Sequence, residues 1–177
     1  VSMIDRKLLR LDSNGLVEHA DLSGVATHHC NDMVVDRTGR AYVGNFGFDH
    51  HAGQARTSAD LARVEPDGTV HRESVGLDFP NGSVITDDGN TLIVAESWGR
   101  RLSAFDIGTD GTLSNQRVWA DLLNHVPDGI CLDAQGGVWS ADPRNNAVIR
   151  VQEGGVENGD LARRDGDQRA VGEAPCH

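Results

Sequence analysis

The sequence predicts an all-β chain built as part of a β-propeller, and three observations carry that expectation. One segment recurs three times in the same phase: NDMVVDRTGRAYVGN from Asn31, NGSVITDDGNTLIVAE from Asn81 and DGICLDAQGGVWSAD from Asp128. The copies start 50 and then 47 residues apart, and an all-β period of about 40–50 residues is that of propeller blades. Each copy sets a glycine between two short apolar runs (Gly39, Gly89, Gly136) and then a large residue (Tyr42, Leu92, Trp139). The 21 glycines and few aromatics of the 177-residue chain suit many short strands and tight turns. In equivalent blades, equivalent positions converge on one mouth of the channel. Asn31, Asn81 and Asp128 would therefore meet there.

Taken in order, residues 2–22 predict two strands, MIDRKLLRLD and LVEHADL, joined at Ser13-Asn14-Gly15. They correspond to the outer half of a blade. The first full unit, 29–76, has inner strands MVVD and AYVGN and outer strands LARVEP and TVHRESV. Between its pairs lies FGFDHHAGQARTSAD, a polar insertion long enough to cover a site. The second unit, 77–122, repeats the plan with SVIT, TLIVAES, RRLSAFDI and SNQRVWADL. The third starts near 126 with GICLD, VWSAD and AVIRVQEGG. After Gly155 the alternation stops, so the expected division is a partial propeller over 1–155 and an irregular polar tail over 156–177. About three and a half blades are present. The two terminal blade faces of such an open arc are expected to expose Leu8, Leu9, Val148 and Ile149 and to favour self-association.

The net charge of −11 comes from scattered acidic residues, which argues against nucleic acid and anionic membrane as partners. No stretch approaches the ~18–20 apolar residues of a membrane span. Cys30, Cys131 and Cys176 lack metal-type spacing, and an odd count without a leader pattern predicts reduced thiols and a cytoplasmic setting. His28, His29, His50 and His51 come in adjacent pairs. On an extended strand such neighbours point to opposite faces, so the expectation is solvated loop histidines rather than a zinc site. Asp36, Thr86 and Asp133 share a phase and are expected to cap the hairpin turns. Trp98, Trp119 and Trp139 are expected in packing positions.

The stretches HCNDMVVDRTGRAYVGNFGFD, FPNGSVITDDGNTLIVAESWGRRLSAFDI and VPDGICLDAQGGVWSAD together resemble the senescence marker protein, gluconolactonase and luciferin-regenerating enzyme family. The resemblance, over about residues 2–155, implies a six-bladed propeller type with one divalent metal in its axial channel. It implies Asn81 and Asp128 as metal ligands, Asp128 also as the catalytic general base, and Asn31 as a substrate contact. His29 stands where some members carry an arginine, and is the second substrate-binding expectation. The family's first-blade glutamate has no counterpart, because Glu18 lies in an outer-strand pattern. The implied function is a lactone hydrolase acting on a small sugar-acid or related lactone. The implied cofactor is one divalent cation, calcium first, with zinc, manganese or magnesium as alternatives. Amide and carboxylate oxygens suit a hard cation such as calcium or magnesium, and manganese and zinc also tolerate them. A non-catalytic metal-binding propeller and a scaffold propeller are the alternatives.

Overall fold

In a computed structural model, which describes residues 1–163, the chain is an arc of antiparallel sheets with no helix among those residues. The strands β1 (Lys7–Asp12) and β2 (Gly15–Asp21) form a two-stranded sheet. Three four-stranded sheets follow in chain order. The first contains β3 (Cys30–Val35), β4 (Ala41–Asn45), β5 (Ala59–Val64) and β6 (Val70–Leu77). The second contains β7 (Pro80–Ile85), β8 (Thr91–Glu96), β9 (Arg101–Ile107) and β10 (Leu113–Asp121). The third contains β11 (Ile130–Leu132), β12 (Val138–Asp142), β13 (Ala147–Gln152) and β14 (Gly155–Arg163). Each sheet is a simple meander, the topology of a propeller blade.

The core lies between blades rather than within one. Side chains on a strand alternate between faces, and in β4 and β8, the second strands of the first two blades, both faces are covered. Along β8, Leu92 and Val94 join Tyr42, Leu61, Leu77 and Phe105 between the first and second sheets. Ile93 and Ala95 turn the other way and join Leu102, Trp119, Val138, Ile149 and Val151 between the second and third. The same rule sends Ala41 and Val43 to a third cluster, with Leu8, Leu22 and Cys30, against the two-stranded sheet. Burial on both faces explains why β4 and β8 are almost continuously apolar in sequence.

The turns behave as their residues require. Asp36 accepts from the Thr38 and Arg40 amides, and Asp133 accepts from those of Gln135 and Gly137. Thr86 accepts from the Thr91 amide. Gly39, Gly89 and Gly136 take φ of 89°, 76° and 78°, a region that a side chain disfavours.

Three expectations need correction. The strand pattern does not end at residue 155: β14 pairs with β13 through Gly155↔Gln152, Val156↔Val151, Leu161↔Ile149 and Arg163↔Ala147. An outermost blade strand is held mainly by main-chain bonds to a single neighbour, so apolar alternation can be weak there. The rest of the expected tail, 164–177, lies outside the described residues, as does Cys176. Leu8 and Ile149 are buried rather than presented at the ends of the arc. Val148 is exposed as expected, and the exposed apolar residues also include Leu11 and Leu16 of the outer hairpin. Cys30 is a free, fully buried thiol pushed up to about 11 by desolvation, which makes it a poor nucleophile. Cys131 is disulfide-bonded, contrary to the reduced thiols expected.

Candidate functional site

Asn31, Asn81 and Asp128 lie at the same end of β3, β7 and β11, the innermost strands of three successive blades. Hydrogen bonds tie these strand starts together. The Asn31 amide nitrogen donates to the Pro80 carbonyl oxygen at 3.1 Å. The Gly82 amide donates to the Asp128 carbonyl oxygen, also at 3.1 Å. Asn81 Nδ2 donates to Ser97 Oγ at 3.1 Å, and Ser97 Oγ donates to the Pro127 carbonyl oxygen at 2.7 Å. The strands also approach closely. A Cβ on Gly82 would stand 2.5 Å from the Ile130 amide nitrogen and 2.7 Å from the Asp128 carbonyl oxygen.

Two β-bulges set the side chains. Pairing of β3 with β4 slips between Cys30 and Met33, and pairing of β7 with β8 slips between Pro80 and Ser83. Asn31 and Asn81 sit inside those slips, where a bulge re-aims a side chain that a regular strand would direct elsewhere.

The chemistry of the set is that of oxygen donors. Both asparagines use their NH₂ groups on neighbouring oxygens, which turns their carbonyl oxygens the other way. Among the described residues, neither Asn carbonyl oxygen nor the Asp128 carboxylate is engaged by a hydrogen bond or ion pair. Such an array fits a hard divalent cation, with Asn81 and Asp128 as the residues to hold it. No group of three or more His, Cys, Asp or Glu able to hold a metal occurs among the described residues, so the fit rests on a mixed amide and carboxylate set.

Asp32 is a neighbour that sequence reasoning missed. Loss of hydration, and next the negative charge of Asp128, push its carboxyl above the ordinary carboxylate range. Its only signal was the dipeptide Asn-Asp, which is common in turns.

Two buried carboxylates further from the axis were missed as well. Glu96, fully buried at the end of β8, accepts from the Asp78 amide and is gripped by Arg101 at 2.7 and 3.0 Å and by the Ser103 hydroxyl. Asp142, at the end of β12, accepts from the Val126 amide and meets His125 Nδ1 at 2.6 Å. Burial opposes ionisation of Asp142, and bonds from Asn145 and His125 outweigh it, holding the carboxyl below its usual range. Each carboxylate anchors the segment that leads into Asn81 or Asp128.

Aromatic rings border the same end. Phe46 stacks on Phe79 with centroids 4.5 Å apart, and Phe48, His50 and Trp98 surround Phe79. Arg56 lies over Trp98 at 5.0 Å and bonds Asp78. Trp98 is 43% exposed, so it is not the packing residue expected, whereas Trp119 is buried in the core. The half-buried His29 lies beside His28, with ring centroids 4.1 Å apart. The two rings meet because the chain bends at residues 27–28 and is not a strand there. Glu18 pairs with Lys7 at 2.6 Å on the outer hairpin, away from these strand starts. A pocket lined by Val34, Val84, Ile85, Leu132 and Asp133 lies at the opposite end of the inner strands.

An arc of antiparallel meander blades defines a class, the β-propellers. Residues 4–162 match the SMP-30/gluconolactonase/LRE-like region, and the chain belongs to that family. It is 30% identical over 132 residues to pentonolactonase XacC of Haloferax volcanii, covering 73% of this chain and 43% of the relative. It is 31% identical to regucalcin of Xenopus laevis over 68% of this chain and 42% of that protein. A luciferin-regenerating enzyme superposes with a TM-score of 0.75 at 19% identity, over 90% of this chain and 56% of that one. A gluconolactonase from Xanthomonas campestris gives 0.65 at 27% identity, over 86% and 54%. The chain thus spans about half the length of the relatives it matches. No helix among the described residues is long and apolar enough to cross a membrane.

Proposed function

We propose that this chain carries the axial site of a metal-dependent lactone hydrolase. The observation that carries the reading is the uncommitted oxygen set of Asn31, Asn81 and Asp128 at one end of three successive inner strands. Relatives named as a pentonolactonase and a gluconolactonase support it. Asn81 Oδ1 and the Asp128 carboxylate would hold a divalent cation, calcium first by the preference of hard ions for oxygen. When bound, that ion supplies polarisation of the lactone carbonyl. Asp128 would take the proton of the attacking water, the work of a general base. Asn31, whose NH₂ is held by Pro80, presents its carbonyl oxygen to a substrate hydroxyl. His29 borders the same mouth and offers a ring nitrogen to the substrate. The aromatic border of Phe46, Phe79 and Trp98 offers an apolar wall to the ring of a small lactone.

Turnover of a lactone panel with and without added calcium, zinc, manganese or magnesium tests the reading. Metal-dependent ring opening is the expected result, and no turnover of any lactone with the metal bound would refute it. That refuting result would favour the second reading, a calcium-binding propeller without catalysis. A fold neighbour from Agrobacterium tumefaciens described as a calcium-binding protein, regucalcin, keeps that reading in view.

A further inference from the structure

We propose that Ser97 is a positioning residue, whose hydroxyl fixes the Asn81 amide with Oδ1 rather than NH₂ toward the channel axis. A serine hydroxyl has one proton to give. The Pro127 carbonyl oxygen can only accept, and it lies 2.7 Å from Ser97 Oγ. That proton is therefore committed to Pro127. Towards Asn81, at 3.1 Å, Ser97 Oγ can then act only as acceptor. The atom of Asn81 that faces it must be the donor Nδ2, which leaves Oδ1 on the other side. Both residues are buried, so water competes little for these bonds.

The consequence is specific to an amide. Its two ends are alike in shape and opposite in polarity, and a half-turn of the side chain would present NH₂ to a cation. Ser97 removes that alternative. The same hydroxyl holds the carbonyl immediately before Asp128, so one group just past β8 sets Asn81 and steadies the start of the next blade's inner strand. The role of Asn81 as a ligand rests on the reading above. The orientation of its amide does not.

The test combines amide exchange with a double-mutant cycle. In the metal-free protein, the Asn81 side-chain NH₂ signal, assigned by its loss in Asn81→Asp, should exchange slowly, and in Ser97→Ala it should exchange faster. Calcium titration by calorimetry should show Ser97→Ala weakening binding by roughly 10–100-fold, the usual cost of removing a group that orients a ligand. In the Asn81→Asp background the same substitution should cost less than about twofold, since a carboxylate presents oxygen at either end and needs no orienting. Fast exchange of the Asn81 amide in the unmutated protein would overturn the proposal without recourse to a variant. An undiminished penalty in the Asn81→Asp background would overturn it too, by showing a general loss of structure. A protected Asn81 amide in a protein that binds no divalent cation would uphold the Ser97–Asn81 orientation and overturn the metal-dependent reading instead.

Discussion

Asn31 donates through its side-chain nitrogen to the carbonyl oxygen of Pro80 at 3.1 Å, so the start of one inner strand grips the residue preceding Asn81 in the next. A bond of this kind couples a candidate substrate contact to a candidate ligand across a blade boundary. Gly82 and Asp128 make the equivalent link one blade further on. Placement of the site is therefore a property of adjacent blades together, and damage at one boundary should reach both residues.

Gly82→Ala is the sharpest structural probe of that dependence. Its Cβ would meet backbone atoms of Asp128 and Ile130 at 2.7 and 2.5 Å, and backbone cannot yield as a flexible side chain does. The substitution should cost about 1–3 kcal/mol, the usual range for overpacking, and weaken calcium binding. Thermal unfolding with and without calcium measures both effects. An unchanged melting temperature would show that β7 and β11 do not approach as described.

Asp128→Asn, made in a protein with all its blades, removes both the proposed base and a ligand charge. Lactone hydrolysis should fall by at least about 10²–10⁴-fold, the share ascribed to a positioned base, while the folded state survives. Steady-state rates at saturating metal provide the measurement. Near-normal turnover would take Asp128 out of the proton-transfer role.

Acid stability should depend on Asp133. The Arg150 hydrogen bond, followed by the amides of Gly137 and Gln135 against an opposing desolvation, holds its carboxyl down to about 2, below the ordinary 3.8. A depressed folded-state value means that the contribution is fully present well above 3.8 and is lost as pH falls from about 4 through 2. Asp133→Asn should cost about 1–3 kcal/mol at neutral pH, the range for removing one partner of a buried hydrogen-bonded charge. Its melting temperature should also vary less across that acid window. Denaturation curves from pH 7 down to 2 would reveal a parallel acid loss in both proteins if Asp133 is irrelevant.

Arg56 should hold the insertion after β4 over the mouth. It bonds Asp78 and the Trp98 carbonyl oxygen and lies over the Trp98 ring. Arg56→Ala should speed amide exchange through residues 49–58 while lowering global stability by no more than about 1 kcal/mol, as for exposed ion and cation–π pairs. Exchange mass spectrometry reads this directly. Unaltered exchange there would mean that the insertion is held by its own Asp49 and Gln54 bonds.

The outer hairpin offers a surface for association. Leu11 and Leu16 face each other across β1 and β2 and are 77% and 67% exposed. Light scattering on the purified chain should show self-association that Leu11→Lys with Leu16→Glu diminishes. A monomer at high concentration before any substitution would dispose of the idea.

Much of this molecule was legible in the sequence because its repeat encodes it. The phase of Asn31, Asn81 and Asp128, the glycine of each hairpin and the doubly apolar second strands all follow from local rules, since strand alternation and turn chemistry act within a few residues. Those rules set an all-β blade arc and the common end at which the three residues lie. They could not show the bulges at Asn31 and Asn81, because a register slip depends on what the partner strand opposes. They could not show Ser97 between Asn81 and Pro127, or Asp32 under the charge of Asp128, because those residues meet only when blades pack. Trp98 was misplaced for the same reason: size predicts burial, while the position of its strand end beside the insertion decides exposure. β14 was missed because its pairing is set by the backbone of β13 rather than by its own apolar pattern. Sequence determined the strands and their phase, and packing between blades decided which atoms of those strands face the axis.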